Sequence, residues 1–183
     1  MKNRNGEMVS YLYKCVCVGS SAVGKTSIIL RYTTGTFREY YAPTLGADFS
    51  TKRVDVGSDN VRLQIWDLGG QDFLGNVRAK FYSGARGVVF MYDVTRSDTL
   101  EELEGWRNEV SSHVKDYTSL IVANKTDLEG ERVISEDEGR KFAESLGAEY
   151  IETSVKLNEG VADTFTAIAK QIIEKYKDRS NFS

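Results

Sequence analysis

Short apolar runs recur along the chain and alternate with segments whose apolar residues follow a helical period. Five of these runs are bounded by Gly, Asn or Asp, at 11–18, 63–66, 87–92, 120–123 and 149–151. Short buried strands that alternate with helices are typical of βαβ units, which build a mostly parallel sheet covered by helices on both faces. The pattern therefore predicts an α/β fold.

Length, charge and cysteine content narrow the class of protein. The 183 residues suffice for one well-buried domain, and no linker, repeat or low-complexity tract divides them. With 24 Lys+Arg against 27 Asp+Glu the net charge is −3, so nucleic acid is not an expected partner. Cys15 and Cys17 share one strand face and are interpreted as small core residues, with a metal or redox role as the alternative. The chain has neither a membrane-length apolar stretch nor a leader sequence, which predicts a cytoplasmic protein.

One segment departs from the buried-strand pattern. Residues 48–56 alternate imperfectly and are predicted to form an edge strand, antiparallel to 61–66 across a turn at 57–60. The whole chain then predicts a six-stranded, mostly parallel sheet with one antiparallel edge strand. The domain is expected to span 9–177, with flexible polar tails at 1–8 and 178–183.

Two helices in the second half of the chain carry clear local signals. Ser135 and Glu138 form a capping-box pattern that predicts a helix over 136–145. Gly147 is expected to end that helix. The last helix is predicted over about 161–175, because its apolar residues repeat at helical spacing and indicate core contacts.

The first apolar run leads directly into GSSAVGKTS, which matches the pattern G-x-x-x-x-G-K-[ST]. A strand precedes the motif and a helix follows it, so backbone amides are expected to converge on phosphate oxygens at a positive helix end. Lys25 is expected to meet the β- and γ-phosphates, and the Thr26 hydroxyl to ligate Mg²⁺. A plain glycine-rich turn is the alternative. The predicted phosphate-binding residues of the loop are Gly19, Ser21, Ala22, Val23, Gly24, Lys25 and Thr26.

A second motif indicates which base the nucleotide carries. Asn124, Lys125 and Asp127 of NKTD follow a buried strand, at the edge of a parallel sheet where open α/β folds bind ligands. A carboxylate accepts two hydrogen bonds, so Asp127 suits the N1–H and 2-amino groups of guanine, which adenine does not present together. The segment ETSVK after the next strand adds three expected guanine-binding residues, Ser154, Val155 and Lys156.

In this order and spacing the motifs resemble a small GTPase of the Ras superfamily, over residues 9 to 177. The Rab branch is the most similar, in segments such as TLGADF (44 to 49), FYSGA (81 to 85) and MYDVT (91 to 95). Leu68 and Gly69 followed by Asp72 are similar to the Arf branch instead, and Ala22 stands where glycine is common. The resemblance implies a P-loop G domain of three layers with about five helices, in a divergent member.

The resemblance also assigns roles around the γ-phosphate. It implies that Asp67 in WDLGGQD holds Mg²⁺ through water, that the Gly70 amide meets the γ-phosphate, and that Gln71 orients the attacking water. Thr44 matches a threonine that binds Mg²⁺ and the γ-phosphate. An uncharged side chain with a donor and an acceptor suits the position beside the water, since phosphoryl transfer depends mainly on positioning.

Aromatic residues complete the implied site. Phe37 matches the ring that packs on guanine, and Tyr41 matches the ring that covers the phosphates, although the neighbouring Tyr40 is an alternative. Phe49, Trp66 and Tyr82 resemble an aromatic triad that Rab-like proteins present to effectors, with a purely structural core role as the alternative.

The expected function is a monomeric, Mg²⁺-dependent guanine-nucleotide switch that hydrolyses GTP slowly to GDP. The implied partners are a GTPase-activating protein, an exchange factor and effectors. No arginine within the motifs has an evident catalytic place, so the activating protein is expected to supply one. The alternatives are a nucleotide-locked scaffold without useful hydrolysis and a P-loop phosphotransferase or ATPase.

Membrane attachment is the least defined part of the sequence-based interpretation. Rab relatives carry prenylated C-terminal cysteines and Arf relatives carry a myristoylated N-terminal glycine. This chain begins Met-Lys and ends RSNFS. It is therefore expected either to be trimmed or to work without a lipid, with peripheral membrane association left open.

Overall fold

The computed structural model describes residues 10–39, 42, 44, 46–57, 59–70 and 75–177. These residues contain a six-stranded sheet in the order β2-β3-β1-β4-β5-β6. Among these strands only β2 and β3 pair antiparallel, and β2 lies at the edge. The strands are β1 (Ser10–Val18), β2 (Ala47–Val56), β3 (Asp59–Leu68), β4 (Ala85–Asp93), β5 (Thr118–Asn124) and β6 (Glu149–Thr153). The predicted α/β fold with one antiparallel edge strand is confirmed.

Helices cover both faces of the sheet. They are α1 (Lys25–Thr34), α2 (Gly75–Tyr82), α3 (Ser97–Glu101), α4 (Leu103–His113), α5 (Glu136–Ser145) and α6 (Val161–Tyr176). Only Glu102 separates α3 from α4. The capping box at the start of α5 is complete, because Ser135 and Glu138 each bond the backbone of the other. None of the described helices combines the length and apolar character that crossing a bilayer requires.

Each face of the sheet carries its own apolar core, because side chains alternate between the faces of a strand. Cys15 and Cys17 lie fully buried in the core beneath α1 and α6, which confirms their interpretation as core residues. Val16 and Val18 point to the opposite core, beneath α4 and α5. Because both faces of β1 are buried over 15–18, successive residues on either face are apolar there, and this part of the strand is a continuous apolar run in the sequence.

The hairpin at the sheet edge is tighter than predicted. Asp59 and Asn60 were expected in the turn, but Asn60 pairs with Asp55 and Asp59 pairs with Val56. The side-chain amide of Asn60 also donates a 2.8 Å hydrogen bond to the Asp55 carboxylate. Cross-strand polar pairing therefore outweighs the turn preference of an Asp-Asn dipeptide.

Candidate nucleotide site

The predicted site residues come together at the carboxyl edge of the sheet. The phosphate loop, residues 19–24, follows β1, and Asp67 lies near the end of β3. The NKTD segment (124–127) and the ETSVK segment (152–156) begin in the last residues of β5 and β6. This edge of an open α/β sheet is where ligands bind, beside the strand at which the connections change direction. A cavity of about 580 Å³ opens there. Its walls include Ser21, Ala22, Gly24, Lys25, Thr26, Phe37, Thr44, Gly70, Asn124, Lys125, Asp127, Val155 and Lys156.

The phosphate loop ends at Gly24, which caps helix α1 in the left-handed conformation, with φ of 108°. A Cβ at this position would lie 2.3 Å from the side-chain nitrogen, Nδ2, of Asn124. Only glycine accommodates both the backbone angle and the close approach. The helix therefore begins against the NKTD segment, and its first residues, Lys25 and Thr26, line the cavity.

Lys25 is the buried cation of the loop. Its ammonium donates 2.7 Å hydrogen bonds to the carbonyls of Gly19 and Ser20. Burial lowers the pKa of Lys25 to about 8, while the nearby Asp67 carboxylate acts in the opposite direction. An anion in the cavity would add a second countercharge beside this buried ammonium.

Three oxygen-bearing side chains meet at the floor of the cavity. The hydroxyl of Thr26 lies 2.6 Å from Asp67 Oδ2 and 2.9 Å from the Thr44 hydroxyl, and Thr44 lies 3.0 Å from the same carboxylate oxygen. Neighbouring ligands of octahedral Mg²⁺ lie about 2.9 Å apart when each metal–oxygen bond is about 2.0–2.1 Å. Asp67 Oδ1 is buried and has no hydrogen-bond partner within the described part of the chain, so it is an acceptor available to metal-bound water. The donor set fits Mg²⁺.

Gly70 brings the segment after β3 against the phosphate loop. A Cβ on Gly70 would lie 2.8 Å from the carbonyl oxygen of Gly19 and equally close to backbone atoms of Ser20 and Ser21. The preceding Gly69 amide donates a 2.9 Å bond to the carbonyl of Gly46. Backbone contact without an intervening side chain is the physical reason for a glycine here.

Asn124 links three segments of the site. Its side-chain nitrogen, Nδ2, donates a 2.8 Å hydrogen bond to the Val23 carbonyl in the phosphate loop. Its carbonyl oxygen accepts from the Thr153 hydroxyl at 3.0 Å and from the Val155 amide at 3.4 Å. The side chain thus joins the phosphate loop to both predicted base-binding segments, although its own predicted role was contact with guanine.

Asp127 and Lys125 are positioned by different partners. The Asp127 carboxylate accepts a 2.7 Å bond from the buried Ser154 hydroxyl. Lys125 adopts a left-handed φ of 69°, and its ammonium lies 2.6 Å from the Asp93 carboxylate. Burial raises the pKa of Asp93, but hydrogen bonds from Lys125 and Thr95 lower it more, so the pKa lies below its usual value.

Some predicted residues serve the cavity without lining it. Gly19 and Val23 contribute backbone carbonyls, to Lys25 and Asn124 respectively, and the side chain of Val23 is buried. Ser154 acts behind Asp127. The predicted water-positioning Gln71 and the covering ring of Tyr41 lie outside the described residues. The site roles proposed from the sequence stay predictions, although the structure brings most of the residues together.

Comparison with known proteins agrees with this geometry. The Ras family model matches residues 14–174 of the chain. The chain belongs to the Ras family. It is a small GTPase, an enzyme class that hydrolyses GTP.

Curated proteins that are similar to this chain include Rab proteins from several animals. It is 34% identical over 178 residues to Ras-related protein Rab-3C of Mus musculus, covering 97% of this chain and 78% of the relative. Rab-3A of Homo sapiens is likewise 34% identical over 178 residues, with 97% and 81% covered. Rab-3 of Caenorhabditis elegans is 36% identical over 166 residues, with 90% and 76% covered.

The aromatic cluster of this Ras-family chain differs from the expected triad. Phe49, 51% exposed, stacks on Trp66 with ring centroids 4.9 Å apart. Phe81, not Tyr82, is the next ring, 5.4 Å from Trp66. Tyr82 is fully buried and donates a 2.7 Å bond to Glu109, so its structural alternative is the correct one. One residue along a helix turns a side chain by about 100°, which separates these two neighbours.

Sequence reasoning also missed contributors to the site. Leu128, directly after NKTD, lines the cavity, as do Arg38 and Glu39. Arg96 donates a 2.9 Å hydrogen bond to the Ser21 carbonyl in the phosphate loop. No motif points to Arg96, because the contact joins residues 75 positions apart.

Proposed function

We propose that this Ras-family chain is a guanine-nucleotide switch that hydrolyses GTP slowly and recruits effectors only when GTP is bound. One observation carries the proposal. A single cavity is lined by a phosphate loop with a buried lysine, by the two threonine hydroxyls that meet Asp67, and by the Asp127 carboxylate. Triphosphate, metal and guanine recognition are therefore combined in one site.

Recognition of guanine is assigned to Asp127, with the N1–H and 2-amino groups as its donors. The Ser154 hydroxyl bonds the carboxylate and thereby fixes its orientation. Lys156 is exposed at the rim and Phe37 is half-buried against the core, and both are assigned to the flanks of the base. Adenine presents no pair of donors to this carboxylate, which supports GTP over ATP.

Thr26 and Thr44 would bind Mg²⁺ directly, and Asp67 would bind it through water. When bound, the ion neutralises charge that develops on the β- and γ-phosphate oxygens. Lys25 adds a positive charge to the same phosphates. Thr44 and Gly70 are assigned to the γ-phosphate, so their contacts depend on which nucleotide is present.

Hydrolysis requires that one water molecule be held in line with the γ-phosphate. We assign this task to Gln71, which directly follows the Gly70 backbone that contacts the phosphate loop. An activating protein that supplies an arginine is expected to accelerate the step. Residues 9–177 would form one G domain, acting as a monomer in the cytoplasm or peripherally on membranes, in membrane traffic or signalling.

The test is single-turnover GTP hydrolysis by the purified chain with Mg²⁺, beside Gln71→Leu and an ATP control. We expect wild type to convert GTP to GDP over minutes to hours, and the variant to be slowed about 10- to 100-fold while it still binds GTP. ATP should not compete. If wild type and variant both retain GTP unchanged, the nucleotide-locked scaffold replaces the switch, and competition by ATP would exclude guanine specificity.

A further inference from the structure

The phosphate loop is held from outside the cavity by the two ends of helix α3. Arg96, just before the helix, donates to the Ser21 carbonyl at 2.9 Å. Glu102, just after it, accepts a hydrogen bond from the Ser20 hydroxyl. Neither residue is among the described residues that line the cavity. Both contacts therefore reach the loop from residues outside this cavity lining.

The Ser21 carbonyl that Arg96 binds belongs to the peptide group between Ser21 and Ala22, and Ala22 has an unusual backbone angle. Ala22 has a φ of 63°, in the left-handed region that a residue with a Cβ seldom adopts. The Ser21–Ala22 peptide is trans, since the described chain contains no cis bond. In a trans peptide the carbonyl and the amide point in opposite directions. A donor outside the cavity lining that holds the Ser21 carbonyl is therefore expected to turn the Ala22 amide the opposite way, toward the cavity that Ala22 lines.

A buried carboxylate in turn orients Arg96. The Nε of Arg96 lies 3.5 Å from Asp93 Oδ2, and only 1% of the Asp93 side chain is exposed. The other carboxylate oxygen of Asp93 accepts from the amide and hydroxyl of Thr95, at 3.0 and 2.7 Å. Lys125 of the base-binding segment pairs with the same carboxylate. Arg96 thus reaches the phosphate loop from a rigid base at the end of β4.

We propose that Arg96 is a positioning residue for nucleotide binding, which holds the Ser21–Ala22 peptide in the orientation that aims the Ala22 amide at the phosphates. The inference rests on the proposed nucleotide site. Alanine adopts the required left-handed angle at a cost equivalent to about a 5- to 30-fold change in population. Arg96 supplies the external hold that offsets this cost, whereas glycine would need no such hold.

A double-mutant cycle tests the proposal. The variants are Arg96→Ala, Ala22→Gly and the combination, with dissociation of fluorescently labelled GDP as the readout. With Ala22 in place we expect Arg96→Ala to accelerate dissociation about 5- to 30-fold. In the Ala22→Gly background the same change should accelerate it at most about twofold, because glycine adopts the left-handed angle without steric cost. Equal effects in the two backgrounds would overturn the proposal.

Two further variants separate positioning from charge and from folding. Arg96→Lys keeps the charge but cannot bond Ser21 and Asp93 with one planar group, so it should dissociate GDP as fast as Arg96→Ala. If GDP dissociated from Arg96→Lys at the wild-type rate, the charge of Arg96 alone would matter, and the proposed positioning role would be overturned. Arg140→Ala removes an exposed arginine paired with Glu136 on α5 and should leave dissociation unchanged. Failure of folded wild type to bind GDP would instead overturn the proposed function.

Discussion

The base-binding end of the cavity and its γ-phosphate end are stabilised in different ways. At the base end Asn124 bonds both the phosphate loop and β6, and Ser154 bonds Asp127, so the segments at the ends of β1, β5 and β6 hold one another. At the other end Thr44 is held through Asp67, and Gly70 rests on the backbone of the phosphate loop. The fold itself completes the base end. The γ-phosphate end consists of groups gathered around the expected metal and third phosphate, so it is the end that a nucleotide is expected to control.

The largest effect is expected from Asp127→Ala at the base end. Two charge-assisted hydrogen bonds to guanine would be lost, so GDP affinity should fall on the order of 10²- to 10⁴-fold, measured by displacement of a fluorescent nucleotide. Inosine diphosphate lacks only the 2-amino group and should bind wild type more weakly than GDP. That preference should disappear in the variant. Glu129→Ala, an exposed acid nearby, is the matched control, and a preserved preference for GDP would contradict the assignment of Asp127.

A smaller effect is expected from Glu109→Gln, which weakens the attachment of α2 to α4. The buried Arg78 guanidinium bonds Glu109 twice, at 2.9 and 2.8 Å, and donates to the Gly69 carbonyl at 3.1 Å. Loss of the carboxylate charge should lower the free energy of unfolding by about 1–3 kcal/mol at pH 7, since Glu109 is partly exposed and the pair partly screened. Urea unfolding measures the loss. Glu104→Gln, exposed on the same helix, should change it little.

The pH dependence of the same pair sharpens this prediction. Burial raises the pKa of Glu109, but hydrogen bonds from Arg78 and Tyr82 together lower it by more than burial raises it. The pKa of Glu109 therefore lies below its ordinary value. The stabilisation is therefore present above the ordinary glutamate pKa and is lost as pH falls through the folded-state value. The difference between wild type and Glu109→Gln should be constant from pH 7 to about 5 and should shrink below about pH 4. A difference that grows in acid would contradict this account.

The smallest effect, and the most selective, is expected from Thr44→Ala at the γ-phosphate end. Removal of the hydroxyl that we assign to Mg²⁺ should weaken GTP binding about 5- to 30-fold in the presence of Mg²⁺ and change GDP binding by less than about twofold. Parallel titrations with GDP and a non-hydrolysable GTP analogue measure the ratio. Thr36→Ala, which removes an exposed hydroxyl 2.6 Å from that of Thr34, serves as control. Equal losses for both nucleotides would show that the two ends do not differ in the proposed way.

Much of the fold was predictable because its signals are local. The capping box of α5, the phosphate-loop motif and the buried strands are each encoded by a few consecutive residues. The hairpin was placed less well, since the Asp55 and Asn60 contact crosses two strands. The aromatic cluster was misassigned by one residue, because the sequence does not show which of Phe81 and Tyr82 faces Trp66.

The sequence by itself determined the fold class and the order of the motifs, and it predicted the chemistry of each motif, because strand and helix periods and short motifs are local patterns. Only the tertiary structure decided that Asn124 joins three segments of the site and that Glu109 holds Arg78 beneath Gly69. It alone brought Arg96 to the carbonyl of Ser21. These contacts join residues far apart in the chain, and their partners are set by how strands and helices pack, which no short stretch of sequence records.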